Sequence, residues 1–226
     1  EYLEAAAVYE MALAASGSFA LIELGARWGT WGFRAAAAVR QYNPGVAVHL
    51  LLVDMDLDAC AAMDRMGDLN EFYPPNFMVT RACGEAEPET VKEWAAQHEV
   101  IDVLDVDIEG EEYTLLPAIY DEIRTKVKRA IVGLHLADEN VNQKLFDSVF
   151  KGWTTVVRTP ARGESLCTQA LRQEDKWRAQ SLLHQVCNES HTQQTPFGPI
   201  VPWDGELIVD NPMLTTSRVG RSESGL

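Results

Sequence analysis

The chain has 226 residues, enough for one domain with an extension, because domains commonly contain roughly 100–200 residues. Its 34 acidic residues outnumber its 19 basic residues, for a net charge of −15. No cluster of basic residues suited to nucleic acid is visible, and no apolar run is long enough to span a membrane. We therefore expect a folded domain with neither kind of partner.

Helix and strand patterns alternate along the chain. An alanine-rich helix is predicted at residues 1–15 and ends at Ser16-Gly17-Ser18. The strands that follow are predicted at residues 19–24, 46–53, 77–82, 100–108, 129–136 and 153–158. The helices between them are predicted at residues 30–42, 57–66, 89–98, 111–125 and 139–151.

This alternation with short turns is typical of a doubly wound, mainly parallel α/β sheet with helices on both faces. The second strand, 46–53, has the continuous apolar character of a strand buried on both sides. After Pro160 the pattern weakens: residues 164–188 predict partial helix and residues 206–209 a last strand. We expect one domain over residues 1–212 and a disordered tail over residues 213–226.

The four cysteines lack the spacing of a zinc site. Cys60 and Cys83 stand in apolar surroundings and are interpreted as buried small residues. A reducing, cytoplasmic compartment is the simpler expectation, although disulfides stay possible. The chain begins at Glu1, so we expect the original N-terminus, with any targeting segment, to be missing.

A glycine-containing turn follows the first strand: Gly25 and Gly29 separate it from the next helix. Ligands of open α/β sheets bind beyond the carboxyl ends of the strands, so this turn is a candidate ligand site. Glu23 would repel the pyrophosphate of a dinucleotide, and the third glycine of the dinucleotide motif is missing. S-adenosylmethionine carries no phosphate, and its cationic groups favour a nearby acid. The sequence alone also allows a purely structural turn.

Asp54 ends the second strand. A carboxylate there can accept hydrogen bonds from both hydroxyls of an adenosine ribose. The alternative is a helix N-cap, a role open equally to Asp56 and Asp58. The spacing of these three acids resembles a calcium loop, but Ala59 and Arg65 replace its glycine and closing glutamate.

The fourth strand runs into Asp107-Ile108-Glu109-Gly110-Glu111-Glu112. Carboxylates at a strand end must be solvated, hydrogen-bonded or bound to something. Glu111 and Glu112 are explained by the positive end of the next helix. Asp107 is explained better by a ligand at the edge of the sheet.

Together these segments resemble the FkbM-type S-adenosylmethionine-dependent methyltransferases. The matching segments are Glu23-Leu24-Gly25-Ala26-Arg27-Trp28-Gly29, then Asp54, then Ala82-Cys83-Gly84, then Asp107-Ile108-Glu109-Gly110-Glu111-Glu112. They occur in the family's order within residues 19–158. Two positions depart from the family: Asp105 stands where a lysine is usual, and Gly133 replaces the glutamate of Glu-x-His, although His135 is kept.

The resemblance implies a seven-stranded Rossmann-like methyltransferase sheet in the order 3-2-1-4-5-7-6. It implies that S-adenosylmethionine binds at Glu23, Gly25, Ala26, Gly29, Asp54, Met55, Cys83 and Asp107. It also implies methyl transfer to a hydroxyl oxygen of a small-molecule or saccharide acceptor, with Asp107, Glu109 and His135 as catalytic residues.

Two points stay open in the sequence. The base is His135 or Asp107, or Asp107 instead holds a divalent cation that lowers the pKa of the acceptor hydroxyl. The loss of the glutamate at Gly133 also leaves room for a non-catalytic binding or scaffold domain with the same fold. A nicotinamide-dependent oxidoreductase is disfavoured by Glu23.

Overall fold

The computed structural model describes residues 2–136, 138–159, 194–195 and 198–215; the helix predicted at residues 164–188 lies outside them. The strands are β1 (Ser18–Leu24), β2 (Ala47–Asp54), β3 (Phe77–Cys83), β4 (Ile101–Val106), β5 (Val127–Leu136), β6 (Thr154–Thr159), β7 (Gln194–Thr195) and β8 (Gly198–Asp210). The helices are α1 (Tyr2–Ala14), α2 (Thr30–Tyr42), α3 (Leu57–Leu69), α4 (Pro88–Ala95), α5 (Glu112–Ala118), α6 (Tyr120–Lys126), α7 (Glu139–Val149) and α8 (Pro212–Thr215).

Seven strands form one continuous sheet in the order β3-β2-β1-β4-β5-β8-β6, and the short β7 pairs with β8. The first five strands of this order are mutually parallel. Strand β8 runs antiparallel to both of its neighbours, β5 and β6. The predicted order is therefore confirmed, with β8 as the last strand; it begins at Gly198, well before the predicted residues 206–209.

Hydrophobic side chains cover both faces of this sheet, because successive residues of a strand point to opposite sides. Leu50 belongs to a core cluster that includes residues of α1, α2 and α3. Leu51 belongs to a second cluster, formed with residues of α4, α5, α6 and α7. The fold is thus a three-layer α/β/α sandwich, which leaves the carboxyl ends of the parallel strands at one edge.

Two differences from the predicted elements affect this edge. The helix predicted at residues 111–125 is divided into α5 and α6 at Ile119, because Pro117 lies inside the helix and lacks the N–H that continues it. Strand β4 ends at Val106 and not at residue 108, so Asp107 begins a loop.

Helix α8 occupies the start of the predicted disordered tail, and residues 216–226 lie outside the described part of the chain. None of the described helices combines the length and apolar character needed to cross a bilayer.

Helix α1 is tied to the sheet through Arg129 of β5, which is buried. Its guanidinium group forms two contacts with the carboxylate of Asp210, at 2.6 and 2.9 Å. It also donates to Glu10 Oε2 at 2.7 Å and to the carbonyl oxygen of Ala7 at 3.1 Å. One buried cation therefore links the first helix to the middle and last strands.

Candidate functional site

The segment between β1 and α2, residues 25–29, is the glycine turn. The N–H groups of Gly25 and Ala26 both donate to the carbonyl oxygen of Val53 at 2.9 Å, which joins the ends of β1 and β2. Gly25 has φ +81°, and a Cβ added there would stand 1.8 Å from the carbonyl oxygen of Asp107. Only glycine fits this position, because the turn packs directly on the loop that follows β4.

Glu23 binds the backbone that follows the glycine turn. Its side chain is 1% exposed, and its two oxygens accept hydrogen bonds from the N–H groups of Trp31 (2.9 Å) and Gly32 (2.8 Å) at the start of α2. Burial raises the pKa of Glu23 to about 7, and the two hydrogen bonds oppose this rise. Glu23 was predicted as a cofactor ligand; the structure gives its carboxylate a structural role at the first turn of α2.

Asp54 connects the end of β2 to the glycine turn. Its Oδ2 accepts a hydrogen bond from the N–H of Arg27 at 2.6 Å, and Oδ1 accepts one from the N–H of Asp56 at 2.8 Å. The N-cap of α3 is Asp56, whose side chain accepts from the N–H of Asp58. Asp54 is therefore not the N-cap of that helix. Its half-exposed carboxylate lies at the carboxyl-end edge of the sheet, beside the glycine turn.

Three further predicted cofactor residues have different environments. Ala26 is buried, whereas Met55 is 72% exposed just beyond Asp54. Cys83 is exposed at the end of β3 and forms a disulfide with Cys60 of α3. The disulfide, which the sequence had left open, thus replaces the interpretation of two buried small residues, and of the two cysteines Cys60 is buried as predicted. Strands β2 and β3 are neighbours, which brings the start of α3 close to the end of β3. This pair no longer supports a reducing compartment.

The loop after β4, residues 107–111, is the acidic loop. The N–H of Asp107 donates to the carbonyl oxygen of Leu24 at 2.9 Å, so the loop starts beside the glycine turn. Glu109 and Gly110 both have positive φ, +54° and +104°. The N–H of Gly110 donates to Oε2 of Glu112 at 2.9 Å, which holds the loop in this tight conformation.

His135 of β5 lies completely buried between acidic side chains. Its Nδ1 is 2.8 Å from Oε1 of Glu112, which is also fully buried. Its Nε2 is 3.1 Å from Oδ1 of Asp107 and 3.7 Å from Oε2 of Glu109. The structure thus brings together the three predicted catalytic residues Asp107, Glu109 and His135, which we call the His135 cluster.

The members of the His135 cluster differ in their access to solvent. The side chain of Glu109 is 62% exposed and that of Asp107 is 36% exposed, whereas His135 is behind them. Burial raises the pKa of Asp107, but its contact with His135 and the positive charges of His135 and Arg27 lower it overall. Asp107 is accordingly an ionised, partly exposed group in front of the buried His135.

Two further carboxylates, those of Asp105 and Glu206, lie near this edge. Asp105 lies buried on β4 opposite Glu23 in the parallel register. Burial and the nearby Glu23 hold the pKa of Asp105 well above its ordinary range. Glu206 of β8 faces Gly133 across the antiparallel pair, and burial together with Glu4 raises its pKa to about 7.

Glu112 is the functional candidate that the sequence reasoning missed. Its position at the start of a helix predicted a role at the helix end, but its carboxylate bridges Gly110 and His135. The available signal was the spacing of the acids in the Asp107–Glu112 segment, which the resemblance already contained.

Solved structures of methyltransferases resemble this chain. An S-adenosylmethionine-dependent methyltransferase from Agrobacterium tumefaciens matches with a TM-score of 0.54 and 12% identity, over 93% of this chain and 61% of that one. A human methyltransferase 10 domain containing protein matches with a TM-score of 0.51 and 10% identity, over 93% and 81% of the two chains. A Galdieria sulphuraria protein described provisionally as a sarcosine dimethylglycine methyltransferase gives 0.51 and 12%, over 93% and 84%.

At these identities the likeness shows the fold: the chain has the mixed seven-stranded, Rossmann-like sheet of S-adenosylmethionine-dependent methyltransferases. No protein-family model matches the sequence, and the comparison with curated proteins finds no match.

Proposed function

We propose that the protein is an S-adenosylmethionine-dependent methyltransferase that methylates a hydroxyl oxygen of a small molecule or saccharide. One observation carries the proposal. In a sheet with the strand order of this fold, the glycine turn, Asp54 and the His135 cluster follow adjacent strands at one edge. This is the edge at which open α/β sheets bind their ligands.

The charge of the edge supports this cofactor over a dinucleotide. Asp54 and Asp107 flank the glycine turn, and Glu109 adds an exposed carboxylate next to it. The ammonium and sulfonium groups of S-adenosylmethionine are attracted by these acids, whereas a pyrophosphate is repelled. The carboxylate of Asp54 would accept hydrogen bonds from the two ribose hydroxyls. Its hydrogen bonds from the N–H groups of Arg27 and Asp56 fix its orientation.

In the proposed reaction the acceptor oxygen attacks the methyl carbon in line with the departing sulfur. The oxygen–carbon bond forms as the sulfur–carbon bond breaks, and the hydroxyl proton leaves. Most of the rate acceleration comes from holding the two reactants in this alignment. Asp107 is the exposed member that would accept the hydroxyl proton, and His135, oriented by Glu112, would hold Asp107 in place for this transfer.

Calorimetry tests the cofactor half of the proposal. Titration with S-adenosylmethionine and S-adenosylhomocysteine should give one site per chain, and NAD should not bind. Absence of binding for both sulfur compounds would overturn the proposal.

An acceptor screen tests the reaction half. Release of S-adenosylhomocysteine is measured with sugar, polyketide, lipid and peptide hydroxyls, and product mass locates the methyl group. Transfer to any acceptor excludes the alternative of a non-catalytic scaffold domain, which the glycine in place of glutamate at position 133 left open. Transfer to nitrogen or carbon alone would overturn the assignment to a hydroxyl oxygen.

A further inference from the structure

The environment of His135 raises a question that the methyltransferase fold does not answer: what lies between its Nε2 and the two carboxylates in front of it. Glu112 accepts the N–H of Gly110 with one oxygen and faces Nδ1 of His135 with the other. A carboxylate accepts hydrogen bonds, so when the ring gives up its Nε2 proton the remaining proton is on Nδ1. In that tautomer Nε2 presents its lone pair toward Asp107 and Glu109.

This arrangement has the features of a metal site. A histidine that binds a metal through one ring nitrogen commonly donates the other N–H to a carboxylate, as His135 does to Glu112. The donor atoms of Asp107, Glu109 and His135 all lie within 4.8 Å of one another. Two ligands about 2.1 Å from one ion stand about 3.0–3.4 Å apart at octahedral or tetrahedral angles. The distances from Nε2 to Asp107 and Glu109 are 3.1 and 3.7 Å, close to this range. The exposed side chain of Glu109 can move the few tenths of an ångström that the longer distance requires.

A proton on Nε2 explains the same contacts less completely. It would bind Asp107 at 3.1 Å, but Glu109 at 3.7 Å is beyond hydrogen-bond distance. An ion would bind all three groups. Gly133 lies directly against the cluster, because a Cβ there would stand 3.1 Å from Oδ1 of Asp107 and 3.0 Å from Cε1 of His135. Any larger side chain at that position would crowd the cluster.

We propose that Asp107, Glu109 and His135 bind one divalent first-row transition-metal ion, held in orientation by Glu112. The imidazole favours such an ion over Mg²⁺ or Ca²⁺, which prefer oxygen ligands alone. Three protein ligands leave positions open toward solvent on the side of Glu109. Resting on the proposed function, the ion would bind the acceptor hydroxyl there and lower its pKa. The proton then passes to water, and the bound oxygen takes the methyl group as the sulfonium becomes a thioether.

Manganese titration followed by electron paramagnetic resonance tests the site without any acceptor. The metal-stripped protein should bind one Mn²⁺ per chain, Zn²⁺ should displace it, and excess Mg²⁺ should compete poorly. Glu109→Gln and Asp107→Asn should each weaken binding by about tenfold or more. Glu111→Gln is the matched control, because this exposed acid lies in the same loop outside the cluster. Equal Mn²⁺ affinity of Glu109→Gln and Glu111→Gln, or no one-to-one site with Mn²⁺ or Zn²⁺, would overturn the proposal.

Glu112→Gln tests the orienting role of Glu112 and should weaken Mn²⁺ binding by about 10–100-fold. Because Glu112 is buried, near-ultraviolet circular dichroism must first show that Glu112→Gln folds. If Glu112→Gln does not fold, Glu109→Gln still tests the metal site, because Glu109 is exposed.

Calorimetry with S-adenosylmethionine on the metal-stripped protein separates the two proposals. Cofactor binding without a manganese site leaves the proposed function standing and overturns the metal site. A manganese site without cofactor binding leaves the metal site standing and overturns the proposed function. With a confirmed acceptor, chelation should lower turnover and Mn²⁺ should restore it; full turnover after chelation would overturn the role given to the ion.

Discussion

Gly25 lies against the carbonyl oxygen of Asp107, so that the turn after β1 and the loop after β4 form one continuous surface. The contact joins the predicted cofactor-binding turn to the predicted catalytic loop. It depends on the absence of a side chain at one residue. The geometry of the whole site is therefore sensitive to a single methyl group.

Gly25→Ala should destabilise the fold and abolish binding of S-adenosylmethionine. The positive φ alone disfavours alanine by about 1–2 kcal/mol, and the overlap with Asp107 adds to it. Gly17→Ala isolates the first effect, because Gly17 has φ +79° and open space around it. Gly45→Ala, with neither constraint, should change stability by less than about 0.5 kcal/mol. Urea unfolding gives the ranking; equal losses at positions 25 and 17 would contradict it.

Asp54→Ala should weaken S-adenosylmethionine binding by about 1–3 kcal/mol, because the ribose hydroxyls lose their acceptor. It also frees the N–H of Arg27, so the turn loses a restraint. Asp58→Ala is the control, since Asp58 is exposed in α3 and contacts the site only through the Asp56 cap. Calorimetry compares the affinities; an unchanged value for Asp54→Ala would remove that residue from the cofactor site.

Asp107→Asn should lower turnover by about 10²–10⁴-fold, because it keeps the shape of the side chain but removes the charge that receives the proton or the ion. Glu111→Gln should retain full turnover. Both are assayed with a confirmed acceptor and checked by circular dichroism. Near-normal turnover of Asp107→Asn would show that the catalytic assignment is wrong.

The buried carboxyl of Glu23 predicts that acidification stabilises the protein. Its pKa is about 7 in the folded state against 4.5 for the ordinary group, so between these values the folded chain holds a proton that the unfolded chain lacks. Stability therefore falls as pH rises through this window, by about 3 kcal/mol for this group. Asp54, Asp105 and Arg34 act on the same carboxyl.

Glu23→Gln, which mimics the protonated form, should flatten this dependence between about pH 5 and pH 8. Glu206 has its pKa raised in the same direction, so Glu206→Gln should remove a separate part of the slope. Urea unfolding at several pH values measures both effects. An unchanged slope in Glu23→Gln would show that this carboxyl is already ionised in the folded protein at neutral pH.

Arg129→Met should destabilise the fold by about 3 kcal/mol, because it leaves the half-buried carboxylate of Asp210 without its cation. The loss should be smaller in Arg129→Met combined with Asp210→Asn, since the double variant carries no unpaired charge. Arg158→Met is the control: its partners Glu139 and Gln143 are at the surface. Equal losses for Arg129→Met and Arg158→Met in urea would contradict the assigned role.

The strand order was predicted from the family resemblance. Local patterns were sufficient to predict the glycine turn and the position of Asp107, because each depends on a strand ending at a known edge. Glu112 could not be assigned in the same way. An acid at the start of a helix satisfies the helix dipole equally well in any fold. Its true partner, His135, is 23 residues away and is brought to it only by the pairing of β4 with β5.

The disulfide shows the same limit. Nothing in the spacing of Cys60 and Cys83 distinguishes a bridged pair from two buried thiols, and their proximity follows from the neighbouring places of β2 and β3. The division of α5 from α6 differs from both cases: one helix was predicted over residues 111–125, although Pro117 was visible in the sequence and disfavours a continuous helix there.

The place of β8 also determines the order in which this molecule can assemble. Among the described strands, β6 pairs with β8 alone, and β8 enters between β5 and β6 although it comes last in the chain. While the chain is being synthesised, β1 to β5 can pair as they emerge, but β6 has no place in the sheet until residues 198–210 have left the ribosome. Glu206, facing Gly133 beside the His135 cluster, arrives at that same moment. The glycine turn and the residues of the His135 cluster are therefore all synthesised before the strand that completes the sheet.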